Sequence, residues 1–220
     1  MKEYHKIETL FEFDMETKRF KKNVFYNKTV EALKNHLWEF TEKVDGTNFR
    51  IHWDGHKLTY GGRTSASEFN SEQIEFIEQN LVNEDMEMLI EQKFKDKEVT
   101  IFGELYGKKI QKVGNLYNPD NYEFKVFDIY LPIKEKPISN KYVNRIVVNS
   151  IAKDLGFDVV PVILIGNIEE AISYVMKNDK STFSEAPLEG LVGVPKGNLL
   201  DENGERIIIK IKKRDLLKSI

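Results

Sequence analysis

The chain has 220 residues, 33 of them basic and 36 acidic, for a formal charge of -3. At 40% hydrophobic and 31% charged it holds enough apolar material for a sizeable core and is neither disordered nor collagen-like. No apolar run approaches the ~18 residues of a membrane helix, Met1-Lys2-Glu3-Tyr4-His5 has no signal-peptide core, and the absence of cysteine removes disulfides and thiolate chemistry; the reading is a soluble cytoplasmic protein.

In chain order, Val30, Leu33, Leu37 and Phe40 recur at helical spacing after Thr29, which predicts a capped amphipathic helix over residues 29–40. Phe49, Ile51 and Trp53 alternate with polar residues, Asp54-Gly55 supplies a turn, and Leu58 and Tyr60 resume the alternation, the pattern of a β-hairpin. His52 and His56 straddle that turn, which argues against a metal pair. Eight acidic residues and no Lys or Arg lie between Glu68 and Glu91, read as a solvated helix face. Strands are predicted at 98–106, 122–131, 157–165, 190–195 and 205–212, the last two joined through Asn203-Gly204. Among them fall a helix at about 140–155, with Val143, Ile146, Val147, Ile151 and Leu155 inward and Gly156 as its stop, and another at about 168–177. No repeat or low-complexity linker intervenes and strands outnumber helices, so the expectation is a single α+β domain over residues 1–220 built on antiparallel sheet.

A net negative charge argues against a general nucleic-acid coat, so any such contact must be local. One basic patch is at the end of the chain, where Arg206, Lys210, Lys212, Lys213, Arg214 and Lys218 face a single acid, Asp215. On a strand, Arg206, Ile208, Lys210, Lys212 and Arg214 share one side while Ile207, Ile209 and Ile211 share the other, giving one cationic and one core face. Far upstream, Lys43-Val44-Asp45-Gly46 opens the hairpin. A lysine amine is a nucleophile only when unprotonated, and its ordinary pKa is about 10.4. Lys210 and Lys212, brought close, would disfavour the Lys43 ammonium.

The Lys43 motif is the first of an ordered set: Gly62-Arg63-Thr64, Phe102-Gly103-Glu104-Leu105, Phe124-Lys125-Val126-Phe127-Asp128-Ile129, Glu189-Gly190-Leu191-Val192 and Ile209-Lys210-Ile211-Lys212 follow. In that order they resemble the motifs of covalent lysyl-nucleotide enzymes, the ATP-dependent ligases and GTP-dependent capping enzymes, from about Tyr4 to Lys212. The run Glu42-Lys43-Val44-Asp45-Gly46-Thr47-Asn48 is most similar to RNA ligases of the phage RNA ligase 2 type. The resemblance implies a nucleotidyltransferase (ATP-grasp-like) domain of antiparallel sheets flanked by helices, with ATP and Mg2+ (or Mn2+) as cofactors. Lys43 would attack the α-phosphate of ATP, AMP would pass to an RNA 5′-phosphate, and a 3′-hydroxyl would displace it.

By the same resemblance, Lys43, Glu189, Lys210 and Lys212 are catalytic. The nucleotide-binding set is Glu42, which reads the adenine edge, Val44, Asn48 and Arg63 near phosphate and ribose, Glu104, Phe124, Lys210 and Lys212. Asp45, Glu104 and Glu189 are the metal candidates, since Mg2+ takes oxygen ligands and keeps several waters. Phe124 and Phe127, three apart on one strand, face opposite sides; Phe124 is assigned to stack on the base and the other to fill the core. Arg50, on the side of Asn48, meets RNA or solvent. The chain stops eight residues after Lys212, without room for the carboxy-terminal domain of larger ligases, which points to a dimer, a protein partner or modest affinity for nicked or single-stranded RNA ends. The rivals are a DNA ligase, a capping guanylyltransferase and a non-catalytic nucleotide-binding regulator. Thr47-Asn48 speaks against the first, the lack of an extra domain against the first two, and the intact lysines against the third.

Overall fold

The computed structural model describes residues 1–64, 67–132 and 141–219. Its elements begin with β1 (Glu8–Thr9), β2 (Phe11–Asp14), β3 (Arg19–Phe25), α1 (Lys28–Ala32), β4 (Trp38–Glu42), β5 (Thr47–Trp53), β6 (Leu58–Gly62), α2 (Ser71–Asn80), α3 (Glu84–Phe94) and β7 (Val99–Gly107). They continue with α4 (Gly114–Tyr117), β8 (Tyr122–Tyr130), α5 (Arg145–Asp154), β9 (Asp158–Val159), β10 (Val162–Gly166), α6 (Ile168–Lys177), β11 (Gly190–Pro195), β12 (Ile209–Lys212) and α7 (Lys213–Leu217). This is the mixed α+β, largely antiparallel architecture expected. The chain divides into two compact units, Met1–His5 with Asp45–Val159 and Lys6–Val44 with Val160–Ile220. Among the described residues no helix is long and apolar enough to cross a membrane.

The first unit holds a five-stranded sheet ordered β6-β5-β7-β8-β9. The predicted hairpin is β5–β6, in register from Phe49↔Gly62 to Trp53↔Leu58. Alternation turns Phe49, Ile51 and Trp53 into an apolar core shared with α2, α3 and α5. The acidic stretch forms α2 and α3, whose Ile77, Met86, Ile90 and Phe94 are buried while the carboxylates stay at the surface. Asn70 and Asn83 start these helices by accepting from the backbone N–H of Gln73 and Met86. Asn140, the expected start of the next helix, lies outside the described residues. The helix itself, α5, begins at Arg145 after the cap Asn144. That start sets its phase: Val148, Ile151, Ala152 and Leu155 form the inward i, i+3, i+4, i+7 stripe, and Ile146 and Val147, expected inside, are exposed.

The second unit holds a sheet ordered β1-β12-β11-β4-β10, and β2 pairs with β3 in a separate hairpin. Here the expected helix over 29–40 is corrected. Asn27, not Thr29, caps a helix that covers only Lys28–Ala32, Leu37 is exposed, and Trp38 and Phe40 are fully buried on β4. The helical spacing of Leu33, Leu37 and Phe40 coincides with a period-two pattern, Trp38-Glu39-Phe40, and strand pairing on both sides by β10 and β11 decides between them. The strand expected at 157–165 breaks at Pro161, which has no N–H for a ladder, leaving β9 in the first unit and β10 in the second. Helix α6 has its predicted bounds, with a capping box between Asn167 and Glu170. The last strand is shorter than the expected 205–212, covering Ile209–Lys212, and Arg214 falls in α7 and not on its cationic side; up to Lys212 the parity holds, with Ile207, Ile209 and Ile211 buried.

Candidate active site

In the second unit, antiparallel pairing of β4 with β11 and of β11 with β12 brings the ends of three distant segments together. Leu191 is opposite both Glu42 and Ile211, and Gly190 is opposite Lys212. The backbone continues this register beyond the strands, with Lys43 N donating to Gly190 O (3.0 Å) and Lys213 N donating to Glu189 O (3.0 Å). Gly190 permits it: at φ +153°, a Cβ would stand 2.0 Å from Ile211 O. Lys43 Nζ then meets Glu189 Oε2 at 2.6 Å, and Lys212 Nζ meets Glu189 Oε1 at 2.6 Å. One carboxylate therefore bridges two ammonium groups on a part-buried surface.

Lys210 lies on the same side of β12 as Lys212. Burial first, then the charges of Lys212 and Lys43, holds its ammonium below the ordinary lysine range. Glu42 is buried, and its Oε2 accepts from Thr182 N (2.9 Å) and Thr182 Oγ1 (2.6 Å). Its Oε1 is buried with no hydrogen-bond partner among the described residues, a costly arrangement that a donor on a ligand would relieve. The side chain of Val44 is buried, which leaves its backbone as the part able to meet a ligand.

In the first unit, Asn48 and Glu104 are neighbours across β5 and β7. Glu104 Oε1 accepts from Gly46 N (3.2 Å), Asp45 N donates to Tyr117 Oη (3.2 Å), and Gln111 Nε2 donates to Gly46 O (3.1 Å). Gly46 is needed for closeness, since a Cβ there would lie 2.4 Å from Leu105 O. Asn48 Oδ1 is buried without a partner among the described residues. Arg63, just past β6, is exposed. Arg50, expected to meet RNA or solvent, is buried instead: it is 3% exposed and donates from Nη1 to Lys2 O at 2.7 Å.

The stacking assignment changes. Phe124 lies in the apolar core, its ring edge-on to Phe49 and to Phe157 at 5.4 Å in each case. Phe127 is the half-buried member of the pair, its ring edge-on to Tyr4 at 5.0 Å. The two phenylalanines do face opposite sides, as parity requires, with the roles exchanged: the sequence gives the parity but not which face is covered. Thr182, Gln111 and Tyr117, which hold Glu42, Gly46 and Asp45, lie in irregular or very short elements where no periodicity marks them. Among the described residues no group of three or more His, Asp or Glu side chains is placed to hold a metal ion, and both oxygens of Glu189 are engaged by lysines.

Residues 36–212 match the family model described as RNA ligase. No curated protein matches the chain. Among solved structures, that of a lysine-to-alanine mutant of Naegleria gruberi RNA ligase with ATP and Mn shares the fold at TM-score 0.62 and 20% identity, covering 96% of this chain and 61% of that one. A lysine-to-methionine mutant of the same enzyme with AMP and Mn gives TM-score 0.64 at 20% identity, covering 96% and 60%; the enzyme with PPi gives 0.61 at 21%, again covering 96% and 60%. The chain spans about three fifths of the length of these proteins.

Proposed function

The chain belongs to the RNA ligase family, and on that premise we propose that it is an ATP-dependent RNA ligase of the phage RNA ligase 2 type that works through a covalent lysyl-AMP. The observation that carries this reading is the Lys43–Glu189–Lys212 bridge, with Lys210 beside it. A binder has no use for a part-buried amine among cations; a nucleophile does. To attack, Lys43 must leave its ion pair and lose a proton, and Glu189 Oε2, at 2.6 Å, is the acceptor at hand. The Nζ–P bond forms as the bond from the α-phosphorus to the pyrophosphate oxygen breaks, and Lys210 and Lys212 offset the charge that builds on the phosphate. AMP then passes to the 5′-phosphate of an RNA end, and an RNA 3′-hydroxyl displaces it to close the phosphodiester.

Substrate ATP brings its own Mg2+ or Mn2+, which shields the phosphates; Asp45, Glu104 and Glu189 are the carboxylates that would meet its water shell. Glu42, an acceptor only, suits the amino group of adenine and opposes the carbonyl of guanine. Asn48 and Arg63 take phosphate and ribose, and Phe127 replaces Phe124 as the stacking ring.

The test is intact-mass analysis after incubation with ATP or GTP and Mg2+. ATP alone should add one AMP, lost in acid as a phosphoramidate is, and Lys43→Ala should abolish the adduct. Glu42→Gln, whose amide can donate to a guanine carbonyl, should narrow the preference for ATP. Adenylation of the Lys43→Ala protein would overturn the assignment, a GMP adduct would move the chain to the capping class, and an adduct that never passes to RNA would favour a regulator.

A further inference from the structure

Asp45 and Gly46 join the nucleophile to strand β5, and in the first unit their backbone is held from outside the motif. Asp45 N donates to Tyr117 Oη at 3.2 Å and Gly46 O accepts from Gln111 Nε2 at 3.1 Å, on either side of the Gly46 N contact to Glu104. Tyr117 and Gln111 belong to the segment from Lys108 to Tyr117, which lies outside the motifs quoted from the sequence.

That segment is built to hold its place. Ile110 is buried in the core, 3% exposed, and Ile110 N donates to Gly107 O at 2.9 Å. Asn115 Oδ1 accepts from Lys109 N at 2.8 Å. Lys109 and Gln111 take φ of +57° and +55°, a left-handed backbone that non-glycine residues keep only where surrounding contacts impose it. The Tyr117 ring packs edge-on to Tyr106 at 5.3 Å. Tyr106 in turn donates to Glu123 Oε2 at 2.6 Å, and Glu123 Oε1 accepts from Asn118 Nδ2 at 2.8 Å. Burial and Glu123 together push the Tyr106 phenol far above its ordinary range, so it remains a donor wherever the protein is folded.

We propose that Tyr117 and Gln111 are positioning residues for nucleotidyl transfer, clamping the Asp45–Gly46 backbone from both ends so that the Asp45 carboxylate is aimed before ATP arrives. The inference rests on the reading of Lys43 as the nucleophile. Neither side chain touches the reacting atoms; each fixes a backbone group, one as acceptor and one as donor, and small displacements of such groups are expensive in rate.

The experiment is single-turnover formation of the lysyl-AMP adduct against ATP concentration, with thermal melting on the same samples, for wild type, Tyr117→Phe, Gln111→Glu and the double variant. Tyr117→Phe keeps the ring against Tyr106, so it should melt with wild type while its maximal rate falls about tenfold and its half-saturating ATP stays within about twofold. Gln111→Glu is isosteric but sets an acceptor against Gly46 O. It should lose at least as much at pH 7.5 and recover relative to wild type as pH falls toward 5, because a protonated carboxyl donates again; a merely structural role would not reverse with pH. The double variant should lose less than the product of the single losses, since both act on one peptide segment. Maximal rates within twofold of wild type for both single variants, or rate losses that track a fall in melting temperature, would overturn the inference and leave the ligase reading standing. A wild-type protein that forms no adduct would remove that reading and this inference with it.

Discussion

At Lys210, burial and the charges of Lys212, Lys43 and Lys6 act against the ammonium, and Glu8 on the paired strand β1 acts for it. Asp215, in the first turn of α7, also feels Lys210, and its own acid form is favoured by burial. The folded-state pKa lies below the unfolded value, so at neutral pH the fold carries the full cost of the charge, and that cost fades as pH rises through the depressed value toward 10.5. Lys210→Met should therefore raise the melting temperature at pH 7, by roughly 1–3 °C once solvent screening of a half-exposed ammonium is allowed for, with the gain shrinking by pH 10. The same variant should form lysyl-AMP more slowly. Coulombic coupling is mutual, so the Lys43 charge that opposes Lys210 is opposed by it, and without Lys210 the rise of the adenylation rate with pH should move to higher pH. A Met variant that melts below wild type at pH 7 would show that the half-buried charge is compensated after all.

Strand β12 delivers its lysines by register, and the adjoining Lys213 tests that register. Lys213 opens α7 and points elsewhere, donating to Asn178 O at 2.7 Å and Asp179 Oδ1 at 2.5 Å. Lys212→Ala should cost about a hundredfold in adenylation rate, the usual scale for a charge aimed at a transition state, whereas Lys213→Ala should cost little rate and instead loosen residues 178–188, seen as faster local amide exchange. Equal rate losses for the two would mean the strand has been placed one residue off. This face of β12 was legible from sequence because its other face is core, so alternation alone separates lysine from isoleucine. Strand β4 was not legible. Its pairing partner β11 lies some 150 residues on, and without that partner the spacing of Leu33, Leu37 and Phe40 reads as a helix. The candidate site divides the same way: Lys43, Glu189, Lys210 and Lys212 stand on or beside regular strands and are marked by motif and parity, whereas Thr182, Gln111 and Tyr117 make long-range contacts from segments with no period. The exchange of Phe124 for Phe127 lies between these cases, since only the apolar cluster around Phe49 shows which face of β8 is covered.

On the RNA ligase reading, a chain of net charge -3 would hold RNA through a few local cations and not over its general surface. Lys109 and Lys112 are exposed and make no salt bridge among the described residues, whereas Lys108 beside them is taken up by Glu72 at 3.0 Å. Their segment is the one that carries Gln111 and Tyr117, so two unpaired charges stand on a firmly anchored loop of an otherwise acidic molecule. Neutralising about three to five phosphates predicts a slope of log affinity against log salt of roughly -2 to -4.5, by the counterion-release rule for single strands and duplexes. Fluorescence anisotropy with a labelled nicked RNA duplex at several salt concentrations would measure it. Replacing Lys109 and Lys112 with Gln should flatten the slope by about one to two and leave self-adenylation with ATP near the wild-type rate, because neither ammonium bonds the Asp45–Gly46 backbone or belongs to the Lys43 cluster. A slope near -10 would demand a broad basic surface that this composition does not supply. An unchanged slope in the double variant would move the RNA contacts to other unpaired cations, with Arg63 beyond β6 and Lys18 and Arg19 at the β2–β3 turn next to be replaced.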